Sequence, residues 1–162
     1  MNVFDFAMKM EQDGKAYYEN LASQTSLPGL KTIFKRLAED EQKHYEIFQE
    51  LKTSGSVPAM QDSTIIAEAK NVFEQLSKEE ETLKDLNEVL AAYQHAMKIE
   101  SESSRFYEKA AGEEKNPAIQ KLLARIADEE QKHFNVLENI YHFVNAPNQF
   151  LAWGEFSNLD EF

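Results

Sequence analysis

The chain has 162 residues, a length that suits one domain with a sizeable buried core. Acidic residues outnumber basic residues by 29 to 17, and the formal charge of −12 argues against nucleic acid and anionic membranes as partners, since both need clustered Lys and Arg. The absence of cysteine excludes disulfides, thiolate catalysis and cysteine-ligated metal centres.

The composition favours helices over strands. Only 5 Gly and 4 Pro are present, and good helix formers such as Glu, Lys, Leu and Ala are abundant. The first residues lack the basic region and apolar stretch of a signal peptide, and no apolar run approaches the roughly 18 residues that span a bilayer. We therefore expect an all-α, soluble, cytoplasmic protein.

The first two predicted helices each carry acidic residues on an apolar face. A first helix is predicted from about Val3 to Ser23, and Glu11 lies on its apolar face where a large apolar residue would be expected. A second helix is predicted from about Gly29 to Thr53, with Glu41 and His44 on its apolar face. Because residues three apart on a helix project from the same side, this Glu and His point together into the core.

A long crossover follows the second helix. It covers residues 54–82, and helical spacing within it predicts a shorter helix from about Ser63 to Ser77. A connection of this length lets the two long helices that it joins run parallel, as in bundles with one long crossover, whereas short loops make the other neighbours antiparallel.

The third and fourth long helices resemble the first and second. The third, from about Leu83 to Gly112, carries Glu100 on its apolar face, and the fourth, from about Pro117 to Val144, carries Glu130 and His133. The pattern of a Glu followed thirty residues later by Glu-x-x-His thus occurs twice.

A tail at residues 146–162 follows the last predicted helix. Four large aromatic residues stand in it among acidic ones: Phe150, Trp153, Phe156 and Phe162. Large aromatics seldom remain in water without cause, so the tail is interpreted either as a cap packed on the bundle or as a docking segment for a subunit or another protein. Aromatic residues in the tail and the fourth helix lead us to expect a homo-oligomer, a dimer or larger.

The two halves of the chain are copies of one unit. The tetrapeptide Glu-Gln-Lys-His at residues 41–44 returns at residues 130–133, a shift of 89 positions. Without a gap, residues 7–46 are identical to residues 96–135 at 14 of 40 positions. We therefore predict one domain over residues 1–145, with repeat 1 at 3–53 and repeat 2 at 83–144.

Four carboxylates on inward faces need an explanation, because each buried ion costs several kcal/mol. Protonation, cationic side chains or metal ions could accommodate them, and Lys15 is the only Lys or Arg close to these faces. Two divalent cations would balance four Glu, and neutral His44 and His133 would each add one nitrogen. Mixed oxygen and imidazole ligands suit iron or manganese, with zinc as an alternative. The plainer interpretation is that each Glu-x-x-His is an exposed pair on a solvated face.

These residues and their spacing resemble the diiron domain of rubrerythrins, within the ferritin-like superfamily, over nearly the whole chain apart from the tail. The resemblance implies a ferritin-like four-helix bundle that holds two iron ions per chain. It implies that Tyr18 and Tyr107 hydrogen-bond the carboxylates and orient them. It also implies the ligands: Glu11 and Glu100 as terminal carboxylates, Glu41 and Glu130 as bridging carboxylates, and His44 and His133 as end ligands.

The chain departs from typical rubrerythrins in two respects. It has no cysteine-ligated rubredoxin domain, so we expect an external electron donor. Ser103 stands where rubrerythrins carry a second Glu one turn after the terminal Glu of the third helix, and Glu102 lies roughly 200° round the helix from Glu100.

The resemblance implies an oxidoreductase of peroxidase or ferroxidase type that reduces peroxide or dioxygen, with a role in oxidative stress. Two alternatives belong to other classes. One is an iron-binding or storage protein without turnover, and the other is a helical interaction module whose metal site is vestigial.

Overall fold

The computed structural model describes residues 2–76 and 90–145 and has an all-α fold. Within these ranges there are five helices and no strand: α1 (Val3–Gln24), α2 (Pro28–Ser54), α3 (Ile65–Leu76), α4 (Leu90–Glu113) and α5 (Pro117–Asn145). The four long helices form a ferritin-like bundle, and α3 is the short helix of the crossover. The predicted fold class is confirmed.

The predicted helix boundaries agree with the structure to within two residues wherever it describes them. The crossover helix begins at Ile65 and not at Ser63. Its first backbone hydrogen bond runs from the Glu68 N–H to the Thr64 carbonyl at 3.1 Å, and the Ser63 hydroxyl accepts from the Ile65 N–H at 3.1 Å just before the helix. The predicted start of the third helix at Leu83 and the tail at residues 146–162 lie outside the described residues.

The helix ends follow from local sequence. Asn2 caps α1 by accepting a hydrogen bond from a backbone N–H of the first turn at 2.8 Å, and Asn116 caps α5 in the same way at 3.0 Å. Pro28 and Pro117 are the first residues of α2 and α5, where the missing N–H of proline has no helical partner to lose. Gly55 ends α2 with a φ of 71°, a left-handed conformation that glycine adopts at little cost.

The long helices form two hairpins that pack against each other. Three-residue loops join α1 to α2 and α4 to α5, which makes each pair antiparallel. Between the hairpins, the rings of Phe34 and Tyr93 lie 5.6 Å apart and those of Phe48 and Tyr107 lie 5.5 Å apart. From the first ring pair to the second, the residue number increases in both helices, so α2 and α4 run parallel as predicted.

The buried core consists of two apolar clusters, one toward each end of the bundle. In α2, Leu37 belongs to the first cluster and Phe48 to the second, and the buried Glu41 and His44 lie between them. In the other three long helices the buried Glu likewise lies between members of the two clusters. A buried polar layer therefore crosses the bundle at mid-height.

The crossover covers one face of the bundle. Helix α3 packs on α2 and α5, and Arg36 of α2 pairs with Glu68 of α3 at 3.0 Å. Just before α3, Asp62 pairs with Arg125 of α5 at 2.8 Å. The opposite face, between α1 and α4, carries no such segment among the described residues. None of the described helices combines the length and apolar character needed to cross a membrane.

The packing of α3 on α2 gives a first prediction, because a Cβ at Gly29 would lie 2.7 Å from Cγ1 of Val72. We expect Gly29→Ala to destabilise the fold by about 1–3 kcal/mol through overpacking. The matched Gly112→Ala should be neutral or stabilise by up to about 1 kcal/mol, because no atom lies within 4 Å of its new Cβ. Denaturant unfolding measures both, and adding Val72→Ala should relieve the Gly29→Ala defect. Equal stability of the two alanine variants would contradict the described packing.

Candidate metal centre

All six residues that the sequence singled out meet in the buried polar layer. Their donor atoms form two groups, and within each group the atoms all lie within 4.8 Å of one another. The first group is Glu11, Glu41, His44 and Glu130; the second is Glu41, Glu100, Glu130 and His133. Two carboxylates, those of Glu41 and Glu130, belong to both groups. The layer therefore offers two adjacent cation positions that share two side chains.

The two positions are related by an approximate twofold axis that exchanges the repeats. Nδ1 of His44 lies 3.1 Å from Oε1 of Glu130, and Nδ1 of His133 lies 3.1 Å from Oε1 of Glu41. The shift of 89 positions converts one contact into the other. The internal sequence repeat is thus also a repeat in the geometry of the site.

The hydrogen bonds expected of the two tyrosines are present, and they run between repeats. Tyr18 donates its hydroxyl to Oε1 of Glu100, and Tyr107 donates to Oε1 of Glu11 at 2.6 Å. Burial, followed by the charge of Glu100, raises the pKa of Tyr18 well above its ordinary value. The phenol therefore stays protonated and remains a donor that fixes its carboxylate.

Glu11 and Glu100, which are expected to be terminal ligands, each have one carboxylate oxygen available for a cation. Oε2 of Glu11 and Oε2 of Glu100 are buried and have no hydrogen-bond partner, which is costly for a buried polar atom, although Oε2 of Glu11 lies 3.5 Å from Nδ1 of His44. Lys15 is not the missing partner, because its ammonium donates to Gln42 at 3.0 Å. Donor atoms on one ion lie up to about 4.2 Å apart at bonds of about 2.1 Å, so the residues fit two divalent cations after a small contraction.

Without a cation, bound protons reduce the repulsion between the carboxylates. Burial, followed by the charges of Glu11 and Glu130, raises the pKa of Glu41 well above its ordinary value. Burial and Glu130 raise the pKa of Glu100 to about 8. Burial acts to raise the pKa of Glu11, but the facing His44 and the hydrogen bonds to the Glu11 carboxylate leave this pKa below 4.5.

The buried carboxylates also shift the pKa values of the two histidines. Burial alone would lower the pKa of His44, but the facing Glu11 raises it well above 6.5. Glu100 has the same effect on the pKa of His133. In the metal-free protein the imidazoles are cations held among carboxylates, and a metal ion at Nδ1 would replace that proton.

Two further buried carboxylates orient the histidines, and the sequence analysis missed them. Nε2 of His44 lies 2.8 Å from Oε1 of Glu129, and Nε2 of His133 lies 2.9 Å from Oδ2 of Asp40. A carboxylate on the outer nitrogen fixes the ring so that Nδ1 faces the site. The available signal was that both repeats carry an acidic residue directly before the Glu-Gln-Lys-His tetrapeptide.

Ser63 of the crossover connects these two carboxylates. Its backbone N–H donates to Oε2 of Glu129 at 3.1 Å, and its hydroxyl donates to Oδ2 of Asp40. Burial acts to raise the pKa of Asp40, but the hydrogen bonds from His133 and Ser63 bring it to about 2. The crossover thus helps to position both histidines, a role for which its sequence gave no signal because Ser63 has no counterpart in the repeats.

A groove lies between α1 and α4, on the face opposite the crossover, with a volume of about 560 Å³. Its ten lining residues are five pairs related by the shift of 89 positions: Phe6 with His95, Met10 with Ile99, Asp13 with Glu102, Gly14 with Ser103, and Tyr17 with Phe106. We call it the α1–α4 groove. It therefore lies on the same approximate twofold axis as the two cation positions.

The chain matches a known protein family over most of its length. The sequence model of the family described as Rubrerythrin matches residues 2–141. No curated protein and no solved structure matches the chain.

The outer carboxylates give a prediction about metal affinity. Asp40→Asn and Glu129→Gln should each weaken binding of a divalent metal roughly 10–100-fold, because the ligating histidine loses its orienting acceptor. Asp128→Asn is the matched control, since Asp128 is exposed and pairs with Lys132 at 3.2 Å. Chelator competition measures the affinities. Equal affinities in all three variants would show that the outer carboxylates do not position the ligands.

The shifted pKa values of the buried groups predict how the stability of the metal-free protein depends on pH. The folded-state pKa of Glu100, about 8, exceeds its ordinary 4.5, so its stabilising contribution is complete below pH 4.5 and is lost as the pH rises through about 8. Glu41 and both histidines have the same sign. The melting temperature of the metal-free protein should therefore fall between pH 5 and pH 9, by about 2–4 °C for each kcal/mol lost.

Metal-loaded protein should resist this loss, because rising pH frees the ligands of protons and tightens metal binding. Glu100→Gln is the control for general surface repulsion, and its metal-free melting temperature should depend less on pH. A metal-free melting temperature that is constant or rises over this range would contradict the assigned protonation.

Proposed function

We propose a function from the premise that the chain belongs to the rubrerythrin family, whose sequence model matches most of its length. The proposed function is that of a non-haem diiron oxidoreductase that reduces peroxide or dioxygen. The observation that carries the proposal is that Glu41 and Glu130 belong to both groups of donor atoms. Shared carboxylates hold two cations close enough to act on one small molecule. Two Fe(II) ions bound there would supply two electrons to an O–O bond.

Each buried residue has a defined part in this proposal. Glu41 and Glu130 would bridge the ions, and Glu11 and Glu100 would each bind one ion through the oxygen that has no hydrogen-bond partner. Nδ1 of His44 or His133 would complete each position. Mixed carboxylate and imidazole donors fit iron or manganese, and zinc would bind without supplying electrons.

The surrounding residues fix these ligands and exclude competing chemistry. Tyr18 and Tyr107 donate to the terminal carboxylates and stay protonated, so they act as fixed donors and not as bases. The two apolar clusters lie above and below the layer, so water does not reach it through the ends of the bundle. The electrons that restore the centre are proposed to come from a separate donor, since none of the 162 residues is a cysteine.

Metal analysis tests the sharing of ligands directly. The purified protein, prepared with iron, should hold two irons per chain. Glu41→Ala should lose both ions, because Glu41 contributes to both positions, whereas Glu11→Gln should weaken one position only. Glu46→Ala is the control, as Glu46 lies on the exposed side of the same helix. An absence of stoichiometric metal in the unaltered protein would remove the proposal.

Anaerobic stopped-flow mixing then separates the activities. Fe(II)-loaded protein should oxidise rapidly and stoichiometrically with peroxide or with oxygen, and the faster oxidant identifies peroxidase or ferroxidase chemistry. An iron-storage protein would instead take up many irons per chain and elute as a large particle. Two bound irons that react with neither oxidant would contradict the oxidoreductase.

A further inference from the structure

The α1–α4 groove comes within one glycine of a proposed bridging ligand. Gly14 and Ser103 are buried and form its floor. A Cβ at Gly14 would lie 3.0 Å from Oε2 of Glu41, so the Gly14 Cα is no more than about 4.5 Å from that oxygen. No side chain at Gly14 separates the groove from the polar layer.

The groove is open above this floor because α1 and α4 pack much less closely than the helices within each hairpin. Ring pairs cross it at both ends: Phe6 and Phe106 lie 5.0 Å apart, and Tyr17 and His95 lie 5.2 Å apart. From Phe6 to Tyr17 the groove follows α1 for about 16 Å. Because both ends are crossed, it fits a compact small molecule better than a helix of another chain, which is about 10 Å wide.

The chemistry of the lining selects the ligand. The walls are aromatic and aliphatic, and the exposed Asp13 and Glu102 place negative charge at the rim. A negatively charged ligand would be repelled by these carboxylates and by the net charge of −12. The volume of about 560 Å³ lies in the range that holds small organic ligands, whereas hydrogen peroxide would occupy a small part of it.

We propose that the α1–α4 groove binds the organic part of a neutral alkyl or aryl hydroperoxide and places the peroxide group over Gly14, next to Glu41. This assignment rests on the proposed peroxidase function and names its substrate class. The hydroperoxide ROOH takes up two electrons and two protons, its O–O bond breaks, and the products are ROH and water. An iron pair held by the proposed ligands would supply one electron from each ion, water would supply the protons, and the external donor would restore the iron.

A binding experiment on the metal-free protein tests the groove without relying on turnover. The probe is 2-phenyl-2-propanol, the alcohol that forms from cumene hydroperoxide. Titration followed by NMR should show saturable binding with shifts confined to groove residues. Met10→Trp, and independently Ile99→Trp on the opposite wall, should abolish binding by filling the groove. Ala16→Trp, on the exposed side of α1, should leave binding unchanged, and circular dichroism melts confirm that each variant is folded.

Reaction rates of the Fe(II)-loaded protein give the second readout. Met10→Trp and Ile99→Trp should slow oxidation by cumene hydroperoxide at least tenfold and slow oxidation by hydrogen peroxide much less, while Ala16→Trp should change neither rate. Rapid reaction with hydrogen peroxide but none with cumene hydroperoxide, or no binding of the alcohol, would overturn the groove assignment and leave the proposed function standing. No reaction with either peroxide would overturn both the groove assignment and the peroxidase form of the proposed function.

Discussion

Repulsion between four carboxylates in an apolar interior is the constraint on which the rest of this structure depends. Glu11, Glu41, Glu100 and Glu130 are buried at mid-height in the bundle, with hydrophobic clusters above and below. In such surroundings an unpaired negative charge is far more costly than in water. The layer is tolerable only if positive charge accompanies it, as protons on the histidines and some carboxylates or as a pair of metal ions.

Because the two halves of the chain are repeats, each half contributes the same kinds of residue to the buried layer. Each repeat supplies a terminal carboxylate, a shared carboxylate and a histidine, and each tyrosine fixes the terminal carboxylate of the other repeat. Neither repeat can complete a cation position alone, because each group of donors draws on both. The two hairpins are therefore coupled through the site, and a metal ion bound there would also contribute to the folding free energy.

Two features break that symmetry: the crossover, which has no counterpart on the α1–α4 face among the described residues, and Gly14, which stands where the other repeat has Ser103. On one face the crossover brings Ser63 between Asp40 and Glu129, so a single residue supports the outer contacts of both histidines. On the opposite face the α1–α4 groove leaves Gly14 next to Glu41. The crossover face holds the ligands in place, and the α1–α4 face is the one through which a substrate is proposed to arrive.

Much of this arrangement was predictable from the sequence, because it depends on helical periodicity and on a repeat. A period of 3.6 residues places Glu41 and His44 on one face, and the repeat predicts that the second pair meets the first. The outer contacts were harder to predict. The position before the tetrapeptide is acidic in both repeats, as Asp40 and Glu129, but such a residue resembles any surface residue of an acidic helix. Ser63 acts through tertiary packing that periodicity does not encode. The groove depends on how closely α1 and α4 approach, which only the folded geometry defines.

Anomalous X-ray diffraction at the iron edge, on crystals of the protein prepared with iron, tests the central claim most directly. Two anomalous peaks per chain are expected, one in each donor group, with Glu41 and Glu130 contacting both. A map with no peak among these side chains, while the four carboxylates stay buried, would show that protons alone stabilise the layer and would contradict the assignment of a dimetal centre.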